Sequence, residues 1–429
     1  MAEDRVVIVS AARTPFVRAR TVFQKMTPSA LGGVALREAI ARSDVDPALV
    51  EETYFGIVAA PAEGNNVSRE ALFDAGLPAS IAATTVNRYC ASSAEAAAGI
   101  IGKIMSGQIE IGMAGGVESI SSIRALFSLE ATDYFQDFAR LKTTQQKLGM
   151  LSKFKPGYLA PIAPGIKEPT TGLTMGQSGD LMAREFHITR EEQDKFAVDS
   201  HHKAAAAWEK GFYKSHVVPV ATPDGKIIDR DTDVRADTSV EKLAQLKTVF
   251  YRDPGATITA GNASPLTDGA SALLLMRESK ARELRVTILG TIRSYATAAV
   301  DIQKEALLIG PAYAMPKALK MAGVKFDELD LYEFHEAFAA QVLATFKAIE
   351  SPEWCKTKLG LETPITRGVD RSKVNVNGGS IPLGHPFGAT GARMIMQALY
   401  ELRALKKNLG LISICAAGGL GVVMVVEAL

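Results

Sequence analysis

The C-terminal stretch "GLISICAAGGLGVVMVVEAL" (410–429) decides the fold. Two apolar, β-branched runs flank Ala417-Gly418-Gly419, so the stretch reads as strand, glycine turn, strand, with Cys415 at the end of the first strand. A looser version of the same phrase stands near the other end. There "VNRYCASSAEAAAG" (86–99) places Cys90 before a run of very small residues, and "EIGMAGGVES" (110–119) reads as a strand running into a glycine turn. A β-rich run, a cysteine with tiny neighbours and a Gly-Gly segment at each end point to an internal duplication.

Working outward, "RVVIVSA" (5–11), "ASALLLMRE" (270–278) and "VTILGTIRSYA" (286–296) read as strands, and "SALGGVALREAIARS" (29–43) and "ASSAEAAAGIIGKIMSGQ" (91–108) as helices. "LDLYEFHEAFAAQVLATFKAI" (329–349) is strand then helix. Strands alternating with helices predict an α/β fold of βαβ units and a largely parallel sheet. Residues 125–250 differ: proline and glycine are frequent in "KPGYLAPIAPGIKEPTTG" (155–172), and "TREEQDKFAVDSHHKAAAAWEKG" (189–211) is a strongly polar helix. The expected organisation is an N-terminal half, 1–124, completed by about 251–282, a loop domain, 125–250, and a C-terminal half, 283–429.

The 429 residues are 47% hydrophobic and 22% charged, with a formal net charge of +1. That composition fits a soluble globular protein and excludes a nucleic-acid binder relying on a globally basic surface. Three cysteines, Cys90, Cys355 and Cys415, are too few for a disulfide framework. The first apolar run is about five residues long, too short for a secretory signal, so a cytoplasmic location is expected.

Cys90 admits two readings. At a helix N-terminus its thiolate would be stabilised by the dipole, and its pKa would fall. A free cysteine among small residues is equally at home as a buried apolar side chain. Of the six histidines, His187, His201, His202 and His216 have polar neighbours and read as solvated surface residues. His385 lies in "NVNGGSIPLGHPFGATGARM" (375–394), where glycines allow close approach of backbone to a ligand and Pro386 stiffens the loop. His335 opens "HEAFAAQ" at a strand-to-helix junction, and Ala339 stands where a zinc HExxH signature needs its second histidine, so no metal site is expected. The turn amides after Cys415 are suited to an oxyanion pocket. Glycine fingerprints for nucleotides are absent from the sequence.

Taken in order, "IVSAARTPF", "NRYCASS", "TAGNASPLTDGAS", "HEAFAAQ", "NGGSIPLGHPFGATGAR" and "CAAGGLG" resemble the thiolase family over nearly the whole chain. HEAF where many members carry NEAF makes the chain most similar to the thiolase subunits of the fatty-acid β-oxidation trifunctional complex. The resemblance implies a thiolase fold, two duplicated halves with an inserted loop domain, and thiolytic cleavage of 3-ketoacyl-CoA to acetyl-CoA and a shortened acyl-CoA. It implies Cys90 as acyl-carrying nucleophile, His385 as its activator and an oxyanion contact, Cys415 as proton donor and acceptor, and His335 as holder of a catalytic water or oxyanion. The amides of Cys90 and Ala417 would form the other oxyanion hole.

By the same resemblance, Ser264, Arg235, Met175, Phe250 and Phe338 fall at positions that line the CoA site in relatives, which implies CoA as a substrate and no separate cofactor. Thr174 stands where short-chain biosynthetic relatives carry histidine, which speaks against an acetoacetyl-CoA specialist. Ketoacyl-carrier-protein synthases use a second histidine where Cys415 stands. The remaining rival is a silent acyl-CoA-binding scaffold. Implied partners are a homodimer or tetramer core and a hydratase/dehydrogenase α-subunit. Residues 140–167, with six basic residues and no acid among apolar ones, are candidates for membrane, partner or CoA-phosphate contact, or for a solvated basic loop.

Overall fold

A computed structural model describes residues 4–162 and 167–429. In the first half, β1 (Val6–Arg13), the short β2 (Val17–Arg18), α1 (Pro28–Ala41), β3 (Glu52–Gly56), α2 (Val67–Ala75), β4 (Ala82–Val86), α3 (Ser92–Met105) and β5 (Ile111–Glu118) follow one another. Helices α4 (Leu129–Arg140), α5 (Thr144–Leu151), α6 (Met175–Glu185) and α7 (Arg190–Glu209) come next. They are followed by the two-residue strands β6 (Val220–Ala221) and β7 (Ile227–Ile228) and by α8 (Val240–Ala244). Strand β8 (Thr267–Arg277), α9 (Glu278–Glu283) and β9 (Gly290–Ala299) lead into the second half. It holds α10 (Gly310–Ala322), β10 (Leu331–Phe334), α11 (Ala339–Glu350), α12 (Pro352–Leu359), α13 (Ser380–Leu383), α14 (Thr390–Leu405), β11 (Leu409–Ala416) and β12 (Leu420–Ala428).

The main sheet runs β10-β11-β12-β9-β1-β8-β5-β3-β4. Its two parts repeat one topology. β3 is parallel to β5, and β8 is antiparallel to both β5 and β1; likewise β10 is parallel to β11, and β12 is antiparallel to both β11 and β9. The parts join where β1 pairs with β9 at Val7↔Thr291 and Ile8↔Gly290. The duplication heard at the two ends of the chain is thus a repeated strand order. The sheet is mixed rather than largely parallel as expected. The glycine turn between β11 and β12 is far too short for a crossover, so the chain must return as a hairpin.

Three cores lie on the faces of this sheet. Leu273 and Leu275 of β8 face one, while Leu274 and Met276 face another. Val422, Met424 and Val426 of β12 likewise part from Val423 and Val425. These runs are apolar at every position because the alternating side chains have a core on each side. The central core holds α3 and α14, which pack against each other. A Cβ on Gly391 of α14 would come 2.5 Å from the Ala94 nitrogen of α3. The tiny residues after Cys90 therefore serve close helix–helix approach, and they set the starts of the two equivalent helices side by side.

The expected loop domain, 125–250, does not coincide with a structural unit: Ile123–Lys167 forms a compact unit of its own, and Glu168 onward belongs with the rest. The polar face of α7 hid a buried one, with Gln193, Asp194, Ala197, Ser200, His201, Ala204 and Ala207 all inaccessible. Within 123–167 a small aromatic core forms around Tyr134, Phe154 and Tyr158, with Leu129, Leu148, Leu151 and Leu159 exposed. Part of the 140–167 stretch, Ala163–Ile166, lies outside the described residues. Two of the histidines expected on the surface are buried. The His216 ring stacks on Tyr400 with centroids 4.9 Å apart, and His201 Nδ1 accepts the Arg235 N–H; burial keeps both imidazoles neutral, His201 pushed down to about 4. Only His187 and His202 are exposed.

Candidate active site

Strand β4 delivers the chain into a tight turn at Asn87–Cys90. Asn87 Oδ1 accepts the Tyr89 N–H, Ser92 Oγ accepts the Arg88 N–H, and the same hydroxyl donates to the Tyr89 carbonyl. Tyr89 sits at φ 47°, a left-handed conformation unusual for a bulky residue. Such strain persists where surroundings over-determine it, and here it aims Cys90 inward just ahead of α3. The backbone N–H groups of Ala417 and of Cys90 itself bond the sulfur. The turn carrying Ala417 is pinned by Glu168, whose Oε2 accepts the Gly418 N–H at 2.8 Å.

His385 arrives from the equivalent position in the second half, ahead of α14. Its loop is tied down by Glu118 at the end of β5, whose buried carboxylate accepts N–H groups from Val58 (3.0 Å), Ala59 (2.9 Å) and Gly388 (3.0 Å). Burial raises that carboxyl to about 7 despite the three donors. A Cβ on Gly116 would stand 2.0 Å from the Gly388 carbonyl oxygen. Gly116→Ala is accordingly expected to cost about 1–3 kcal/mol through overpacking. It should also lower turnover by displacing the His385 loop; denaturant midpoints and steady-state rates on one preparation measure both.

The four residues implied by the motifs meet here. Cys90 Sγ and one nitrogen each of His335 and His385 lie within 4.8 Å of one another. The two imidazole centroids are 4.1 Å apart. Cys415, buried at the end of β11, is close enough to Cys90 for their charges to interact, and this together with its burial raises its thiol well above the ordinary value. Burial also pushes Cys90 up to about 12, opposed only in part by its two backbone donors. The fall in pKa expected from the helix start is therefore not found: desolvation outweighs the dipole, and the resting residue is a thiol.

The hydrogen bonds orient both imidazoles. Thr390 Oγ1 donates its proton to the Pro386 carbonyl (3.0 Å) and so can only accept from His385 Nδ1 (2.7 Å). His385 Nδ1 therefore carries the proton, and Nε2, buried without a protein partner, offers its lone pair to the cluster. Burial and the nearby Arg393 charge push His385 down to about 3, which keeps it neutral. His335 Nδ1 lies 2.9 Å from Ser380 Oγ, and its Nε2 is also buried and unpartnered. A chain with one base and two thiols, all neutral at rest, can move protons without first separating charge in a dry site.

The CoA candidates gather nearby. Met175, Phe250 and Phe338 share one apolar cluster, Phe250 meeting Phe338 edge-on at 5.9 Å. Gly176 leaves room for the Phe250 ring, which a Cβ there would meet at 2.1 Å. Ser264 bonds the Ala337 carbonyl next to Phe338 through both its N–H (3.0 Å) and its hydroxyl (3.2 Å). Arg235 lines a cavity of about 330 Å³ with Arg18, Lys242 and the neighbours of Ser264, Ala263 and Pro265. Sequence reading missed Thr390, Ser380, Arg393, Glu118 and Glu168. The first three lie inside the quoted 375–394 stretch, yet nothing in their spacing tells which polar side chain turns toward which histidine.

The profile of the thiolase N-terminal domain matches residues 6–279 and that of the thiolase C-terminal domain residues 286–428. Among curated relatives, 3-ketoacyl-CoA thiolase of Pectobacterium atrosepticum is 44% identical over 425 residues, covering 99% of this chain and 97% of that one. The enzyme of the same name from Vibrio cholerae is 43% identical over the same shares. Among solved structures, the Bacillus anthracis acetyl-CoA acetyltransferase superposes with a TM-score of 0.83 at 33% identity, covering 99% of each chain. A duplicated α/β fold, a Cys-His-His-Cys cluster with Cys90 and His385 ahead of two paired helices, and full-length likeness all converge: the chain belongs to the thiolase family.

Proposed function

We propose that the protein is a degradative 3-ketoacyl-CoA thiolase, transferring an acyl group from 3-ketoacyl-CoA to CoA through an acyl-Cys90 thioester. The observation that carries this reading is a His385 ring nitrogen within 4.8 Å of Cys90 Sγ, on a ring whose Nδ1 is bonded to Thr390 and whose buried Nε2 is left unprotonated. His385 Nε2 takes the thiol proton as Cys90 attacks the 3-keto carbon, and the amides of Cys90 and Ala417 hold the oxyanion that forms beside the sulfur. The C2–C3 bond then breaks, acetyl-CoA leaves as an enolate, and Cys415 protonates its C2. His335 and His385 face the enolate oxygen. In the second half-reaction the Cys415 thiolate takes the proton of incoming CoA, whose sulfur attacks the Cys90 thioester. Cys90 recovers its proton from His385, so atoms and protons balance with CoA as substrate and no further cofactor.

Met175, Phe250, Phe338 and Ser264 would line the pantetheine arm, and Arg235, at its cavity, would supply positive charge for the phosphates. Fatty-acid β-oxidation, a cytoplasmic location and a hydratase/dehydrogenase α-subunit complete the reading. The α-subunit rests on sequence resemblance alone. No helix among the described residues is long and apolar enough to cross a membrane. A homodimer or tetramer core is supported by β4, which among the described residues ends the sheet with one edge unpaired. Exposed Leu148, Leu151 and Leu159 among Lys147, Lys153 and Lys155 support peripheral contact with an anionic membrane through 140–167.

A chain-length series tests the function. Acetoacetyl-CoA and a long 3-ketoacyl-CoA are offered with CoA, with and without a candidate α-subunit, and the expected result is a higher kcat/KM on the longer substrate. Activity confined to the four-carbon substrate would favour the biosynthetic thiolase; no thiolysis of either would favour a silent scaffold.

A further inference from the structure

Behind His335 stands a buried polar chain that the reaction scheme does not use. Arg393, on the first turn of α14 and wholly inaccessible, donates from Nη2 to Ser380 Oγ at 2.7 Å and from Nη1 to Glu333 Oε2 at 3.2 Å. Gln397 reaches from the next turn to the Gly378 carbonyl (2.9 Å) and to Glu401 (3.0 Å), and Asn377 also donates to Glu401 (3.1 Å). Four elements, β10, the 375–379 loop, α13 and α14, are thereby locked around one guanidinium.

A guanidinium can only donate, so Ser380 Oγ must accept from Arg393. Its single proton then needs an acceptor, and among the described residues His335 Nδ1, at 2.9 Å, is the one within reach. Were His335 protonated at Nδ1 instead, the serine oxygen would accept from both neighbours and its own proton would be left buried without an acceptor. We propose that Ser380, held by Arg393, fixes His335 as the Nε2–H tautomer, making it a hydrogen-bond donor to the substrate oxygen and not a second base. The guanidinium adds to this through space, since its positive charge disfavours a protonated imidazole beyond the serine. Glu333 accepts from the same guanidinium, while burial and the neighbouring Glu401 raise its own carboxyl well above the ordinary value.

The two histidines are thereby set in opposite senses. Thr390 gives its proton away and leaves His385 an acceptor toward Cys90; Ser380 gives its proton to His335 and leaves it a donor toward the substrate. Two chemically identical side chains 4.1 Å apart are set at rest as one acceptor and one donor by the direction of one hydroxyl each. Ser380 and Arg393 are positioning residues, since neither side chain bonds Cys90.

The inference deepens the thiolase reading, and its test separates the two. Imidazole ¹⁵N spectra of the histidine-labelled full chain should show His335, assigned by its loss in His335→Asn, with Nε2 protonated and Nδ1 bare. This readout needs no turnover, so it decides the tautomer even were thiolysis absent. An Nδ1–H signal for His335 would overturn the proposal. In Ser380→Ala, kcat for thiolysis should fall roughly tenfold to a hundredfold, less than the roughly 10²–10³-fold cost of deleting an oxyanion donor. KM should change by no more than about twofold. Alkylation of Cys90 by iodoacetamide should keep its wild-type rate, because His385 is untouched; a misfolded site would lose both. Ser380→Thr keeps the hydroxyl and should restore most of kcat. Wild-type kcat in Ser380→Ala, or loss in Ser380→Thr equal to that in Ser380→Ala, would sink the idea.

Discussion

Cys90→Ala is expected to abolish acyl transfer, lowering kcat by at least roughly 10⁴-fold, in line with the losses seen when a covalent nucleophile is removed. The cavity left is that of one sulfur atom, in a site whose walls are held independently by Glu118, Glu168 and Arg393. The fold and the CoA contacts should therefore survive: calorimetric affinity for CoA should stay within about threefold of wild type. Mass spectrometry after a single addition of 3-ketoacyl-CoA should find the acyl adduct on wild type at Cys90 and none on the variant. Undiminished turnover in Cys90→Ala would remove the mechanism, because Cys415 is buried at the end of β11 and Cys355 makes its sulfur contacts with Ala348 and Ile349 of α11.

His385→Ala is expected to cost roughly 10²–10⁴ in kcat, the range of a general base. It should slow alkylation of Cys90 in parallel, since the thiol is held up at about 12 and needs His385 to lose its proton. The pH dependence separates this role from a surface histidine. His385 is held down at about 3, so in the free enzyme it stays neutral and competent through the physiological range. The profile of kcat/KM should then show no acid limb near 6.5 belonging to this group. Stability carries the opposite mark. A histidine whose folded pKa is depressed favours the native state above its unfolded value, about 6.5, and loses that contribution as pH falls toward 3. The acid side of the unfolding curve should shift to lower pH in His385→Ala, as measured by denaturant titration at pH 7 and pH 5. A wild-type limb at 6.5 that disappears in the variant would show His385 to be solvated.

What could be read from residues alone depended on whether a pattern was local. The β8 and β12 runs, the glycine turn between β11 and β12, and the strand-to-helix step at His335 are periodicities within one element, and each appears where the sequence places it. The mixed sheet was legible only at the β11–β12 turn, which is too short for a crossover; elsewhere strand direction depends on where a long connection returns and not on the strands. The burial of His216 was not legible either: its neighbours in sequence are polar but its ring stacks on Tyr400 from α14. The unit boundary at 167 was missed for the same reason: α7 looks polar, while its inaccessible face carries Asp194, bonded to Asn262 at 2.9 Å, and Ser200, bonded to Glu336 at 2.8 Å. A polar residue whose partner lies far off in sequence cannot be told from a solvated one by composition.

The sequence by itself determined the chemistry on offer: two cysteines and two histidines in glycine-rich, helix-opening motifs, a duplicated architecture and the family. Tertiary structure alone decided how that chemistry is divided. Pairing of the equivalent helices α3 and α14, through contacts as close as Gly391 against Ala94, brings Cys90 and His385 together from opposite halves. Burial then reverses the expected fall in the Cys90 pKa, and the hydroxyls of Thr390 and Ser380 point two identical imidazoles in opposite senses. The physical reason is common to all three. Desolvation and hydrogen-bond direction depend on which atoms surround a group in space, and residue order alone does not carry that information.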